Sequence, residues 1–127
     1  MQLIAHGVDL VKVQRIAEML RDHGDQFLKR CFTAAEAEYS ISMPRRRAEH
    51  LAARFAAKEA VMKALGTGLT GGISWTDIEV SRDGSGKPGL RLSGVALQHA
   101  QRLGISSWLI SLSHTDDHAM ASVIAVA

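Results

Sequence analysis

The stretch RFAAKEAVMKALGTG, Arg54 to Gly68, carries the residues best placed to do chemistry. Projected at about 100° per residue, Glu59 and Lys63 fall among Phe55, Ala56 and Met62, and Arg54 and Lys58 fall beside Val61 and Leu65. The remaining arc holds only Ala57, Ala60 and Ala64. A solvated helix gathers its charges on one side, and this one does not. Glu59 lies four residues before Lys63, the favourable order for a helical ion pair worth about 0.2–0.5 kcal/mol. The apolar neighbours support a different reading. A carboxylate in such a girdle costs desolvation, and residues kept there coordinate cations or do acid–base work.

Asp9, in GVDLVKVQRI, is the second carboxylate of interest. It reads either as the N-cap of a helix starting near Val11 or as a partner for Glu59. Two carboxylates together suit magnesium, which is held by few protein oxygens plus water and substrate phosphates. Separation along the chain leaves open whether they meet. His114, in SLSHTDD, ends an expected strand before a tight turn, where a histidine is structural, solvated or ligand-binding. The other five histidines show no ligand spacing, so zinc is not expected. Gly66-Thr67-Gly68 follows a helix, whose C-terminal dipole repels anions, and no GxxxxGK[ST] pattern exists. The glycines read as a helix stop. A phosphate would need basic side chains, and Arg45, Arg46, Arg47, Arg54, Lys58, Lys63 and Lys87 are available. The run Arg45-Arg46-Arg47 is either a solvated approach to a helix or a site for phosphate or an acidic partner.

These residues need elements to position them. Residues 2 to 9 form an aliphatic strand in which Gly7 allows a close backbone approach. Val13, Ile16, Ala17 and Leu20 recur at helical spacing from Val11 to about His23, and Gly24 ends that helix. Thr33-Ala34-Ala35-Glu36 is a capping box opening a helix to about Ser42, which Pro44 breaks. The long helix runs from about Ala48 to Leu65. Strands follow at Ile73–Ser81 and Gly89–Ser93, around the turn-rich segment Arg82 to Pro88. A short helix covers Val95–Leu103, and Trp108–His114 pairs with Ala119–Val126 around Thr115-Asp116-Asp117. Helices lead and strands follow, so the class is α+β, and 127 residues suffice for a single domain, 1–127.

Fifteen Lys and Arg against thirteen Asp and Glu give a formal charge of +2, which does not call for nucleic acid. Cys31 is the lone cysteine, excluding an intrachain disulfide and a CxxC metal site and fitting a reducing cytoplasm. The first residues lack a charged start followed by a long apolar run, so no secretory signal is expected. No apolar run approaches the roughly 20 residues of a membrane span.

Four stretches together resemble one family, the holo-[acyl-carrier-protein] synthases or short 4′-phosphopantetheinyl transferases. GVDLVKVQRI resembles its N-terminal metal motif, and RFAAKEAVMKALGTG its signature helix. ISWTDIEVSRDGSGKPGLRLSG is similar to its central strands and GKP turn, and ISLSHTDDHAMASVIA to its closing SxSH hairpin. They keep the family's order and spacing over nearly the whole chain. The resemblance implies an antiparallel sheet packed on a long helix and a homotrimer with sites between protomers. It also implies transfer of 4′-phosphopantetheine from coenzyme A to a serine of apo-acyl carrier protein for fatty acid biosynthesis. By that resemblance Asp9 and Glu59 hold magnesium, with manganese as the other candidate, and Lys63 lies by the same phosphates. It assigns Arg45, Arg46, Arg54, Gly66, Lys87, Pro88 and His114 to the coenzyme A pocket. Arg15 and Arg21 sit on the helix that meets the acidic carrier protein. Two rivals are a polyketide or peptide synthase carrier as client, and a non-catalytic module binding acidic proteins or nucleic acid through Arg15, Arg21 and Arg45 to Arg47. A pure binding surface does not require Asp9, Glu59 and Lys63, which speaks against the second. Neither nucleic acid nor membrane is an expected partner, and the expected location is the cytoplasm.

Overall fold

The first ten residues of the sheet are the strand β1, Leu3–Lys12, in a computed structural model that describes residues 1–127. The strand outruns its expected end at Asp9, because β-branched Val8 and Val11 favour extended backbone and its partner strand reaches far enough to pair with it. That partner is β5, His118–Val126, which also pairs with β4, Ser107–His114. All pairs are antiparallel, in the order β1-β5-β4.

The helix α3, Arg47–Leu65, lies across the inner face of this sheet. Its sheet-facing side is built from small residues. Ala52, Ala56, Ala57 and Ala60 are fully buried, as are Ala119, Ala121, Val123 and Ala125 of β5. Such residues let helix and sheet backbones approach closely. At Gly7 the approach is extreme, since a Cβ there would lie 2.0 Å from the Ala60 carbonyl oxygen. Only glycine fits. The helix closes at Gly66 with φ 75°, the left-handed cap expected from its glycines.

Around this pair lie the remaining elements. The helix α1, Val13–Cys31, continues past its expected end at Gly24 through a kink with φ 47° and ψ −121°. Beyond the kink, Phe27 and Cys31 bury their side chains in the core, and that burial keeps the second half helical. The helix α2, Ala34–Ile41, starts at the expected capping box, with Thr33 and Glu36 each bonding the other's backbone. A 3-10 turn at Pro44–Arg46 leads into α3.

A separate ribbon pairs β2, Ile78–Arg82, with β3, Pro88–Leu92. The expected strand from Ile73 begins only at Ile78, because Asp77 folds Trp75–Asp77 into a 3-10 turn by accepting from the Ser74 amide. In the connecting turn Asp83 accepts from the amides of Ser85 and Lys87 and from the Ser85 hydroxyl. These bonds hold its carboxyl below the usual range. The helix α4, Gly94–Arg102, bridges to β4. No helix is long and apolar enough to cross a membrane.

Candidate active site

Gly7 and Asp9 point to the same face of β1, two residues apart. The close contact of Gly7 with Ala60 therefore sets Asp9 against the flank of α3 that carries Glu59 and Lys63. Asp9 does not cap a helix; it sits within β1 opposite Ala121, and the N-cap of α1 is Lys12. Its carboxylate accepts a 2.7 Å bond from Lys63 Nζ, which also donates to the Val8 carbonyl at 3.1 Å. The helical Glu59–Lys63 pair that spacing allowed is thus replaced by a pair 54 residues apart in sequence.

That exchange leaves Glu59 without its cation. Its Oε1 is buried and has no hydrogen-bond partner. Burial, and then the charge of Asp9, push the Glu59 carboxyl up to about 7, while Arg15 and Lys63 work against the rise. The Lys63 amine moves up, held by its bond to Asp9. That direction opposes the lowering a proton-accepting amine requires. Two adjoining carboxylates, one with a free buried oxygen, have the chemistry of a site for a hard divalent cation held by few protein ligands. No group of three or more His, Cys, Asp or Glu residues that could hold a metal ion forms here or elsewhere in the chain.

Arg54, Tyr39, Arg82, His50, His114 and Glu49 gather along the first half of α3. Arg54 is 2% exposed, has no carboxylate partner, and stacks over the Tyr39 ring at 4.4 Å. Arg82 approaches the same ring at 5.5 Å. Burial, and then the charge of Arg82, lower the Arg54 guanidinium, as expected of two cations sharing a wall without an anion. His114 lies 3.5 Å from the Glu49 carboxylate and 5.9 Å, ring to ring, from buried His50. Arg45 and Arg46 sit on the exposed 3-10 turn before α3. Lys87 lies in the ribbon turn and Pro88 opens β3. Hydrogen bonds and ion pairs join members within each group, and none joins the Asp9 group to the Arg54 group.

Lys58 departs from expectation. By sequence it is one of the cations available to a phosphate, yet it is fully buried and paired at 2.7 Å with Glu36. Tyr39, His50 and Arg82 were not singled out as site residues. Arg82 stands in the turn-rich SRDGSGKP segment, the one local signal that could have marked it. Tyr39 and His50 carry no such signal, because only folding brings α2 against α3.

A helix presenting a carboxylate and an amine to a strand aspartate, with arginines that lack carboxylate partners on the same helix and the ribbon, has the chemistry that suits phosphate-bearing ligands. The model of the 4′-phosphopantetheinyl transferase superfamily matches residues 5–123, and the chain belongs to that family. It is 48% identical over 122 residues to a holo-[acyl-carrier-protein] synthase of Koribacter versatilis, covering 96% of this chain and 97% of that one. Its fold matches the holo-[acyl-carrier-protein] synthase of Neisseria meningitidis with a TM-score of 0.89 and 32% identity, over 99% and 100% of the two chains. It also matches the Bacillus anthracis synthase in complex with coenzyme A (3′,5′-ADP), with a TM-score of 0.80 and 34% identity over 98% and 97%.

Proposed function

We propose that this chain is a holo-[acyl-carrier-protein] synthase, moving the 4′-phosphopantetheine of coenzyme A onto a serine of apo-acyl carrier protein. The observation that carries the reading is the unpartnered, buried Glu59 oxygen beside the Lys63-clasped Asp9. The serine Oγ forms a bond to the phosphorus bearing the pantetheine arm. The bond from that phosphorus to the bridging oxygen breaks, and adenosine 3′,5′-bisphosphate leaves. The serine proton needs an acceptor, and the Glu59 carboxylate beside Asp9 supplies one. Lys63 stays protonated and faces the phosphates as a cation. Arg54 and Arg82 offer unpaired charge to anionic groups of coenzyme A, with Arg45, Arg46, Gly66, Lys87, Pro88 and His114 as further walls of its pocket.

Magnesium, or manganese, fits the Asp9 and Glu59 oxygens, and when bound it offsets charge on the leaving phosphate. The carrier protein docks on α1, where Arg15 lies over the Phe55 ring at 5.4 Å. A groove lined by Arg15, Met19, Phe27, Phe55 and Leu69 opens there between the halves of the kinked helix. Arg21 is spoken for in part by Asp22 at 3.0 Å, so Arg15 carries more of the attraction. The split between the Asp9 and Arg54 groups supports a homotrimer in which neighbouring protomers complete each site. The client is a fatty-acid-type carrier protein, and the setting is the cytoplasm. Intact-mass measurement of apo-acyl carrier protein, incubated with coenzyme A and magnesium, tests the reaction. One phosphopantetheine is gained, and a chelator stops the gain. No gain on any carrier protein overturns the reading.

A further inference from the structure

The β2–β3 ribbon has only two strands, and an isolated two-stranded ribbon is marginal in water. Two backbone groups of β2, the Ile78 carbonyl and the Val80 amide, bond side chains rather than another strand. Val80 N donates to Glu36 Oε2 at 2.9 Å, and Ile78 O accepts from Lys58 Nζ. Lys58 Nζ also donates to the Trp75 carbonyl at 3.0 Å and pairs with Glu36 Oε1 at 2.7 Å. Glu36 Oε1 accepts in addition from the Thr33 amide at 2.9 Å, and the Thr33 hydroxyl reaches Glu79 at 2.6 Å. Both charged side chains are 0% exposed.

An ammonium has three N–H donors, and Lys58 has three acceptors around it. No donor is left for a phosphate, and no water reaches the amine to carry a proton away. The ion pair instead fills the place of a third strand on the ribbon's edge. Through it α2, α3 and the Trp75 turn meet the ribbon that carries Arg82, Lys87 and Pro88. Arg54 lies about one turn earlier on α3. We propose that the Lys58–Glu36 pair is the joint fixing the coenzyme-binding ribbon to the stretch of α3 that carries Arg54, which makes Lys58 a positioning residue for coenzyme A. The inference rests on the assignment of Arg54, Lys87 and Pro88 to the coenzyme A pocket.

Lys58→Met keeps the stem and removes the charge, leaving Glu36 buried and uncompensated. The expected result is a KM for coenzyme A raised about tenfold. The KM for apo-acyl carrier protein should move less than about twofold, and the limbs of the kcat pH profile should keep their wild-type positions. Glu36→Gln shifts coenzyme A binding the same way by less, and calorimetric titration with coenzyme A reads this even if Lys58→Met does not fold. The double variant Glu36→Gln/Lys58→Met removes both charges and regains Tm while coenzyme A still binds weakly. Recovery of coenzyme A binding together with Tm would reduce the pair to a stability element and overturn the proposal. A shifted basic limb would make Lys58 a proton carrier, overturning it from the other side. Arg54→Ala separates the two levels. If it leaves coenzyme A binding intact, the pocket assignment fails; if it weakens binding and Lys58→Met does not, the joint fails.

Discussion

A buried oxygen left without a donor costs about 1–3 kcal/mol, and Glu59 carries one at Oε1. Glu59→Gln and Asp9→Asn keep side-chain shape while removing charge. Each is expected to lower the transfer rate by about a hundredfold or more, with Tm equal to or above wild type in a thermal melt. A lowered Tm with retained transfer would contradict the assignment. His50 poses a different residue-scale problem, since both its ring nitrogens are buried without partners. Burial first, then the charges of Arg54, His114 and Arg82, hold its imidazole below the ordinary 6.5, with Glu49 opposing. The unfolded chain therefore binds more protons just below pH 6.5, and stability is lost as pH falls through that window. His50→Phe keeps the edge-on packing against Tyr39 and removes the titrating ring. It should gain about 1 kcal/mol at pH 7.5, and the gap to wild type in denaturant melts should widen at pH 5.5. Residue types and spacing raised Asp9, Glu59 and Lys63 as candidates, and only the resemblance of four stretches to one family joined them in a site. They could not show that Lys63 pairs with Asp9, because that bond spans 54 positions and depends on how a strand meets a helix.

That meeting is decided at the scale of elements. The closeness of β1 and α3 follows from an alanine-rich helix face and from Gly7, whose missing Cβ leaves room for the Ala60 carbonyl. Gly7→Ala would force the two apart or bend the strand. Overpacking of this kind costs about 1–3 kcal/mol, and a backbone clash at 2.0 Å places it at the upper end. Transfer should fall further than stability, because Asp9 moves away from Glu59 while remaining folded. Denaturant melts and rates on the same preparation read the two losses; a normal rate in a destabilised variant would break the link between approach and site. The capping box at Thr33 and the left-handed cap at Gly66 were legible because each is local chemistry; at Gly7 the missing Cβ was legible, and the Ala60 carbonyl that fills its place was not. The β1–α1 boundary was not, because pairing with β5 extends the strand past Asp9. Nor was the role of Glu36, since its capping pattern is visible in sequence and its ion pair with Lys58 is not. The helix beyond Gly24 was hidden for the same reason, its stability coming from burial of Phe27 and Cys31 rather than from spacing.

At the scale of the molecule, the sheet's outer face is the feature that the single chain leaves unexplained. Leu10 is 62% exposed, Leu109 47%, and Val8 and Met120 42% each, all on strands of one sheet. Adjoining apolar residues of this size mark an interaction surface, and self-association is the simplest way to cover it. A trimer would also explain why the Asp9 and Arg54 groups share no bond within one chain. Complementation tests both points together. Asp9→Ala and Arg54→Ala are each expected to be inactive when pure. Unfolded, mixed in equal amounts and refolded, they form mixed trimers in which about a quarter of the inter-subunit sites carry both wild-type groups. Transfer should return to about that fraction of the wild-type rate, and light scattering should report three times the chain mass. If the groups act within one chain, no site regains both and the mixture stays silent. Leu10→Glu with Met120→Glu supplies the control: charge on the covered face should yield monomers, and mixing the two inactive variants in that background should restore nothing.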